Sequence, residues 1–340
     1  MSNVAVPDMP ILGARDSGSL EPDEVVDSNE RECFLGVDGG GTKTHAVVTD
    51  SRSRVLGEGF SGGSNPLRVG LDDAISNLQQ AISQACADAG IRRRDITAAC
   101  LGIAGVSHPI HYETMKNALE RRLDLKRLEL VTDARAALAG ALDGEPGVVI
   151  IAGTGSIAMG VNGSGEEARS GGWGPTFGDE GSGFDIARHA LQAVAASFDE
   201  RLPQTILTGR VCQRLGISSA ADLPGVIYNS DSEPVEIASL ADLVTDAARE
   251  GDEVAKEILA EAGVELAGLV ASVIEKLGMQ EQPFGVAYVG SVFRAGDLVL
   301  DSFKTTLGRV APKARVRAPV LPPAVGAAKL AEVYALRGKQ

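Results

Sequence analysis

A run of three consecutive glycines, at positions 39–41, interrupts a stretch of apolar and β-branched residues near the start of the chain. Only glycine bends the backbone so sharply, and the flanking residues favour extended structure, so we predict a strand, a tight turn and a second strand. Successive glycines expose backbone N–H groups that can bind a phosphate. The candidate phosphate-binding residues of this first turn are Gly39, Gly40, Gly41, Thr42, Lys43 and Thr44.

Asp38 ends the strand before this turn, where its carboxylate could hold a hydrated Mg²⁺ ion. The common nucleotide-binding patterns do not fit the turn. Lys43 follows Thr42 rather than glycine, which excludes the P-loop, and Thr44 occupies the third glycine position of the dinucleotide pattern. Taken alone, the segment is either a phosphate-binding hairpin or an ordinary glycine-rich hairpin.

A second segment of the same kind follows later in the chain, at positions 147–161. It is again a strand, a turn of Gly, Thr and Ser, and a strand, and no helix opens there as a dinucleotide-binding fold would require. The candidate phosphate-binding residues of this second turn are Gly153, Thr154, Gly155 and Ser156. Two related hairpins indicate two similar lobes, each offering a phosphate-binding turn to a cleft between them.

Asp133 is a candidate catalytic residue because of its position in the predicted sheet. It follows a short predicted strand at residues 128–132, and the carboxyl ends of strands in open α/β sheets are where ligands bind. A carboxylate positioned there can act as a general acid or base. The alternative is structural, since aspartate is a favoured N-cap and a helix is predicted to begin at Ala134.

The segment 170–183 contains six glycines among fourteen residues, together with Asp179 and the single tryptophan, Trp173. So much glycine costs conformational entropy unless the backbone must approach a ligand closely. We therefore interpret the segment as a loop lining the cleft; the alternative is that Trp173 is an aromatic plug beneath a loop.

Other patterns outline the remaining elements. A helix is predicted from Asp72 to Gly90, and buried strands at residues 97–103 and 284–289. Further helices are predicted at 184–198, 204–215, 254–277, 298–307 and 324–336, with an edge strand at 314–318.

Composition restricts the class of protein. The 340 residues are enough for two domains, and a net charge of −14 argues against nucleic acid or an anionic membrane as the main partner. The four cysteines form no close pair, which disfavours a zinc site or a disulfide framework and is typical of a reduced, cytoplasmic protein. Residues 1–31 are rich in Pro, Gly, Ser and acidic residues, which predicts a disordered leader.

The ordered set of motifs resembles the sugar kinase/Hsp70/actin superfamily, and within it the BadF/BadG/BcrA/BcrD-type ATPases that include N-acetylglucosamine kinase. The matching segments are 38–44, 63–66, 132–134, 153–156, 171–174, 178–182, 289–291 and 324–328. The resemblance implies a two-lobed α/β fold, actin-like and ribonuclease H-like, with an interlobe cleft. Its lobes would be residues 32–131 with the returning C-terminal helix 324–337, and residues 132–323.

The resemblance also implies roles for particular residues, with ATP and Mg²⁺ as cofactors. Asp133 matches the catalytic aspartate of the family, Asp38 would lie near Mg²⁺, and Asp179 would contact the sugar or the metal. Gly290 and Ser291 match the segment that contacts adenosine. The residues implied on the sugar side are Asn65, Gly105, Asp133, Trp173, Gly174 and Asp179.

The activity implied by the resemblance is ATP-dependent phosphorylation of an amino sugar, N-acetylglucosamine or glucosamine, at O6, with Asp133 as general base. N-acetylmuramic acid or an undecorated hexose is the other substrate option. The sequence does not determine the oligomeric state, and a homodimer would be consistent with the family. Two alternatives are an ATP-hydrolysing switch that acts on a protein partner and a sensor that binds sugar without phosphorylating it. Relatives that activate dehydratases carry cysteines for an iron–sulfur cluster, and this chain lacks that pairing.

Overall fold

The computed structural model describes residues 32–229 and 234–337, and the chain from Glu32 onward forms one compact unit. The leader predicted at residues 1–31 lies outside the described residues. Within the described part, no helix is long and apolar enough to cross a membrane.

The first sheet has five strands in the order β3-β2-β1-β4-β5. β1 pairs antiparallel with β2, and β2 with β3, whereas β4 and β5 run parallel to β1. The strand bounds are β1 Cys33–Gly39, β2 Lys43–Asp50, β3 Val55–Gly62, β4 Ile96–Ile103 and β5 Leu128–Thr132.

The second sheet repeats this topology, with the order β8-β7-β6-β9-β10. Its first three strands form an antiparallel meander, and β9 and β10 run parallel to β6. The duplication expected from the two hairpins is therefore present as a whole-sheet repeat. The strand bounds are β6 Gly147–Ala152, β7 Ser156–Val161, β8 Glu167–Gly171, β9 Phe284–Val289 and β10 Ala314–Arg317.

Twelve helices of α type connect and cover these strands in the described residues. In the first half of the chain they are α1 Pro66–Val69, α2 Leu71–Asp88, α3 Pro109–Arg122, α4 Asp133–Ala141 and α5 Gly183–Phe198. In the second half they are α6 Leu207–Leu215, α7 Leu223–Asn229, α8 Pro234–Ala238, α9 Ala241–Arg249, α10 Glu253–Leu277, α11 Asp297–Val310 and α12 Pro323–Arg337.

Most predicted elements are present, but two boundaries differ in ways that matter for the site. β8 takes the first two residues of the segment that sequence analysis assigned to a loop, so the glycine-rich loop proper begins at Gly172. The helix expected from Ala134 begins at Asp133, and its N-cap is Thr132, whose hydroxyl accepts the backbone N–H of Arg135. The N-cap interpretation of Asp133 is wrong, because its neighbour takes that role.

Each sheet is covered on both faces by apolar helical surface. α2 and α3 pack on one face of the first sheet, and α4 with α12 on the other. The second sheet packs against α5, α9, α10 and α11 on one face and against the apolar side of α4 on the other. α4 therefore contributes to the cores beside both sheets, and it is the helix that carries Asp133.

Glycines allow α12 to pack very closely against its neighbours. A Cβ atom at Gly36 of β1 would lie 2.0 Å from the carbonyl oxygen of Ala324. A Cβ atom at Gly326 would lie 2.2 Å from the backbone nitrogen of Gly140 in α4. The C-terminal helix thus packs closely against the first sheet and against α4.

Candidate active site

The first glycine turn is closed by its own backbone. The N–H of Gly40 donates to the carbonyl oxygen of Lys43 at 2.9 Å, and the carbonyl of Gly40 accepts the N–H groups of Ser64 at 2.9 Å and Asn65 at 3.1 Å. The N–H of Ala104 donates to Gly39 at 2.8 Å. Three segments, namely the turn, the loop before α1 and the end of β4, therefore meet at this point.

The side chains of the turn divide into two groups. Thr42 and Lys43 are exposed and available to a ligand. Thr44 is fully buried, and its hydroxyl lies 2.7 Å from the carbonyl oxygen of Gly62 and 2.9 Å from Oγ of Ser64. Thr44 therefore anchors the turn to the loop before α1, and its hydroxyl is engaged within the protein.

Asn65 and Gly105, both expected on the sugar side, are direct neighbours. Asn65 is the N-cap of α1, and its Oδ1 accepts the N–H of Leu67 at 3.0 Å. Gly105 has φ +83°, and a Cβ atom there would lie 2.3 Å from Oδ1 of Asn65. Glycine is needed at this position both for the backbone conformation and for the close approach of the amide.

Asp38 and Asp133 lie at the same edge of the first sheet. The parallel register places Asp38 beside Gly102 and Thr132 beside Ile103, so both acids occupy the carboxyl ends of strands flanking β4. Burial raises the pKa of Asp38 to about 6, the negative charge of Asp133 adds to this, and Lys43 opposes it. Burial also raises the pKa of Asp133, against the backbone N–H groups of Asp133 and Ala134.

The second turn is held by the N-terminus of α5. The N–H of Gly183 donates to the carbonyl oxygen of Gly153 at 2.8 Å, and that of Phe184 to Thr154 at 3.1 Å. Thr154 is exposed, like Thr42 in the first turn. Ser156 is buried, and its hydroxyl donates to the carbonyl of Glu180 at 2.7 Å, so this serine fixes the loop that carries Asp179.

Asp179 lies directly against the second turn. The N–H of Ser156 donates to its Oδ1 at 3.2 Å, and a Cβ atom at Gly155 would lie 2.7 Å from both carboxylate oxygens. Burial raises the pKa of Asp179, and the N–H groups of Ser156 and Gly174 lower it. Asp179 itself has φ +62°, a strained conformation that the surrounding loop holds in place.

Trp173 is 66% exposed and is not a plug beneath the loop. The guanidinium of Arg169 on β8 lies 5.6 Å from the centre of its ring, which orients the indole. An exposed, oriented aromatic ring beside Gly174 and Asp179 is suited to packing against a sugar.

A pocket of about 180 Å³ opens beside the second turn. Gly290, with φ +119°, packs against the carbonyl oxygen of Ala152 just before that turn, and Ser291 lines the pocket. The pocket thus joins the expected phosphate-binding and adenosine-binding segments. The other polar wall of the pocket was not predicted from the sequence. Its only signal was polar residues three positions apart in and before the short amphipathic helix α9. The wall is formed by Ser239, Asp242, Thr245 and Arg294.

The two carboxylates expected to hold a metal lie in separate environments. Asp38 interacts with Asp133 on the first sheet, whereas Asp179 interacts with Glu180 and Asp185 beside the second. Among the described residues no three His, Cys, Asp or Glu side chains cluster as a metal site. This fits Mg²⁺, which is commonly bound by one or two carboxylates together with water and substrate phosphates. A cation would also relieve the repulsion between the half-buried carboxylates of Asp38 and Asp133.

Comparisons with known proteins show similarity to kinases of amino sugars. An N-acetylmuramic acid/N-acetylglucosamine kinase from Clostridium acetobutylicum is 36% identical over 83% of this chain and 92% of its own length. An N-acetyl-D-glucosamine kinase from Dictyostelium discoideum is 32% identical over 88% of this chain and 98% of its own length. The crystal structure of a proposed N-acetylglucosamine kinase from Chromobacterium violaceum is 28% identical, with a TM-score of 0.71 over 88% of this chain and 99% of that chain.

The Chromobacterium violaceum structure shares the two-lobed, actin-like fold that the duplicated sheets display. The model of the BadF/BadG/BcrA/BcrD ATPase family matches residues 35–331, which include both glycine turns, Asp133 and α12 up to Ala331. The chain belongs to the BadF/BadG/BcrA/BcrD ATPase family.

Proposed function

We propose that the protein is an ATP- and Mg²⁺-dependent amino-sugar kinase that transfers the γ-phosphoryl group of ATP to O6 of N-acetylglucosamine or glucosamine. The protein is a phosphotransferase, and kinases of amino sugars are the relatives that cover most of the chain. The free thiols of Cys86, Cys100 and Cys212 and the use of ATP support a cytoplasmic location.

The observation that carries the proposal is the placement of Asp133 beside the first phosphate turn. Thr132 caps α4 and so directs the chain into the helix at Asp133, at the sheet edge that also holds Asp38. A partly buried carboxylate with a raised pKa is suited to accept the hydroxyl proton. In this proposal Asp133 binds the sugar and acts as the general base.

The remaining residues divide between nucleotide and sugar. The nucleotide phosphates would be bound by the first turn, Gly39, Gly40, Gly41, Thr42, Lys43 and Thr44, and by the second turn, Gly153, Thr154, Gly155 and Ser156. The hydroxyls of Thr44 and Ser156 hydrogen-bond within the protein, so these two residues would contribute by holding their turns. Gly290 and Ser291 would hold adenosine at the pocket. The sugar side would be formed by Asn65, Gly105, Trp173, Gly174 and Asp179.

Mg²⁺, when bound, would neutralise charge on the phosphates. Asp38 is the carboxylate best placed to hold it through water, because it lies next to the first turn, at the residue before Gly39. Asp179 is better placed for the sugar, because it lies between the second turn and Gly174.

The proposal is tested by measuring ADP release from ATP and Mg²⁺ with a panel of sugars. The panel contains N-acetylglucosamine, glucosamine, N-acetylmuramic acid, glucose and a blank without sugar. We expect strong stimulation by one amino sugar over the blank. Equal ADP release in every sample, including the blank, would contradict the kinase proposal and favour an ATP-hydrolysing switch that acts on a protein.

A further inference from the structure

Arg68 lies over the first phosphate turn. It belongs to the single-turn helix α1, and its side chain is exposed. A Cβ atom at Gly41 would lie 3.0 Å from Cδ and 3.2 Å from Nη1 of Arg68. The stem and one guanidinium nitrogen of this arginine are therefore in contact distance of the glycine at the centre of the turn.

The position of Arg68 is fixed through the backbone. The N–H groups of Ser64 and Asn65 donate to the carbonyl of Gly40, and the N–H of Arg68 donates to the carbonyl of Asn65 at 3.0 Å. A Cβ atom at Gly63 would lie 2.3 Å from the carbonyl oxygen of Gly41. The loop before α1 is thus packed onto the turn, and α1 holds Arg68 in a defined register relative to it.

The charge of the region explains why an arginine at this place matters. The chain has a net charge of −14, and two of its carboxylates, those of Asp38 and Asp133, lie half-buried beside the turn. A transferring phosphoryl group brings further negative charge that must be compensated. Lys43 supplies one positive charge within the turn, and Arg68 supplies a second, with several N–H donors in one plane.

We propose that Arg68 is a catalytic residue that donates hydrogen bonds to the oxygens of the transferred phosphoryl group. Asn65, three residues earlier, would hold the sugar, so that α1 would position both reactants. In the step, the sugar hydroxyl oxygen forms a bond to the γ-phosphorus while the bond from that phosphorus to the ADP oxygen breaks. The hydroxyl proton passes to Asp133, and Arg68 keeps its proton throughout.

This inference rests on the proposed kinase function, and its test separates the two. Arg68→Gln keeps a polar, though shorter, side chain and removes the charge, and Arg68→Lys restores the charge without the planar donors. Arg122→Gln is the control, because Arg122 is an exposed arginine that pairs with Asp72 at 2.6 Å at the end of α3. The measurements are kcat and sugar KM, and the affinities for ADP and for the non-hydrolysable ATP analogue AMPPNP.

We expect Arg68→Gln to lower kcat about 10²-fold or more, as loss of one transition-state donor does elsewhere, with little change in sugar KM. Its affinity for AMPPNP should fall about 10-fold while that for ADP is kept, since ADP lacks the γ-phosphate that a charge-assisted hydrogen bond would contact. Arg68→Lys should recover part of both losses, and Arg122→Gln should match the wild type.

Wild-type kcat and an unchanged AMPPNP-to-ADP affinity ratio in Arg68→Gln would overturn the inference. Equal loss of ADP and AMPPNP binding would also overturn it, because it would assign Arg68 a structural role in the turn. If the wild-type protein phosphorylates no sugar, the kinase proposal fails, and the affinity ratio still decides whether Arg68 contacts the γ-phosphate.

Discussion

At the scale of single residues, the site depends on carboxylates whose positions are set by neighbouring residues, in part through backbone hydrogen bonds. Thr132 caps α4 and leaves Asp133 at the first helical position, free to face the sheet edge. Ser156 and Gly155 set the position of Asp179. The backbone N–H of Ser156 donates to its carboxylate, and Gly155 leaves room for that carboxylate because it has no side chain. Exchanging Thr132 or Gly155 should therefore affect catalysis nearly as much as exchanging Asp133 or Asp179.

Asp133→Asn should lower kcat by about 10² to 10⁴-fold, because an amide cannot accept the hydroxyl proton. The affinity for ATP should stay within about threefold of the wild type, since the phosphate-binding turns are untouched. Steady-state kinetics and nucleotide titration check this, with the exposed Asp124→Asn as control. A wild-type kcat in Asp133→Asn would contradict the role of Asp133 as the general base.

Gly155→Ala should displace Asp179, since the new Cβ would lie 2.7 Å from both of its carboxylate oxygens. A shift of this kind can cost about 10²-fold in kcat/KM for the sugar. Gly163→Ala is the matched control, because a Cβ atom there meets nothing within 4 Å. Equal kcat/KM for the sugar in the two variants would contradict the view that catalysis depends on the observed position of Asp179.

At the scale of elements, the loop at residues 178–182 is tied to two helices by a pair of carboxyl groups. Asp185 on α5 accepts the N–H of Gly181 at 3.1 Å and interacts with Glu265 on α10. Burial and the hydrogen bond with Asp185 raise the pKa of Glu265 to about 7, and the negative charges of Asp185 and Glu261 add to this. With a pKa of about 7, Glu265 is partly protonated at neutral pH, and the pair contacts the loop that carries Asp179 through the N–H of Gly181.

Glu265→Gln should therefore change how stability depends on pH. The folded protein keeps a proton on Glu265 up to about pH 7, whereas the unfolded chain releases it near the ordinary value of 4.5. Because the folded state binds more protons in this window, wild-type stability should fall as the pH rises through it. The melting temperature of Glu265→Gln should decline less than that of the wild type over this window, because only the contribution of Asp38, whose pKa is about 6, and of other raised carboxyls remains. The control Glu275→Gln, an exposed glutamate on α10, should decline as the wild type does. A decline of wild-type size in Glu265→Gln would contradict the raised pKa of Glu265.

Sequence patterns located the elements with strong periodicity and missed those without it. β8 consists of Glu167–Gly171, which is short and largely polar, and α3 has few apolar positions, so neither presents a clear pattern. Threonine and aspartate are both good N-caps, so the sequence could not show that Thr132 rather than Asp133 caps α4. The pocket wall from α9 and Arg294 depends on tertiary packing, which no local pattern records.

At the scale of the whole molecule, α12 connects the end of the chain to the first sheet and to α4. Its contacts with Gly36 and Gly140 are so close that no side chain fits between the backbones. α4 also packs against the second sheet through Leu138 and Leu142, so the position of Asp133 depends on both halves of the molecule. The duplicated hairpins predicted this two-part architecture, but not the tightness of the packing that joins it.

Gly326→Ala should destabilise the protein, because its Cβ would lie 2.2 Å from the nitrogen of Gly140 and 2.4 Å from the carbonyl oxygen of Ala136. Overpacking against backbone costs about 1–3 kcal/mol or more. Gly308→Ala, at an exposed position of α11 with nothing within 4 Å, should instead stabilise by about 0.5–1 kcal/mol through helix propensity. Thermal unfolding of the two variants should shift in opposite directions; an upward shift in both would show that α12 is not tightly packed.

The most direct test of the account is to identify the phosphorylated product. The wild-type protein is incubated with ATP, Mg²⁺ and the amino sugar that stimulates ADP release most, and the products are analysed by mass spectrometry and by ³¹P and ¹³C NMR. We predict one phosphate per sugar, with ³¹P–¹³C coupling at C6, in an amount equal to the ADP formed. ATP consumption that yields inorganic phosphate and unmodified sugar would contradict the account.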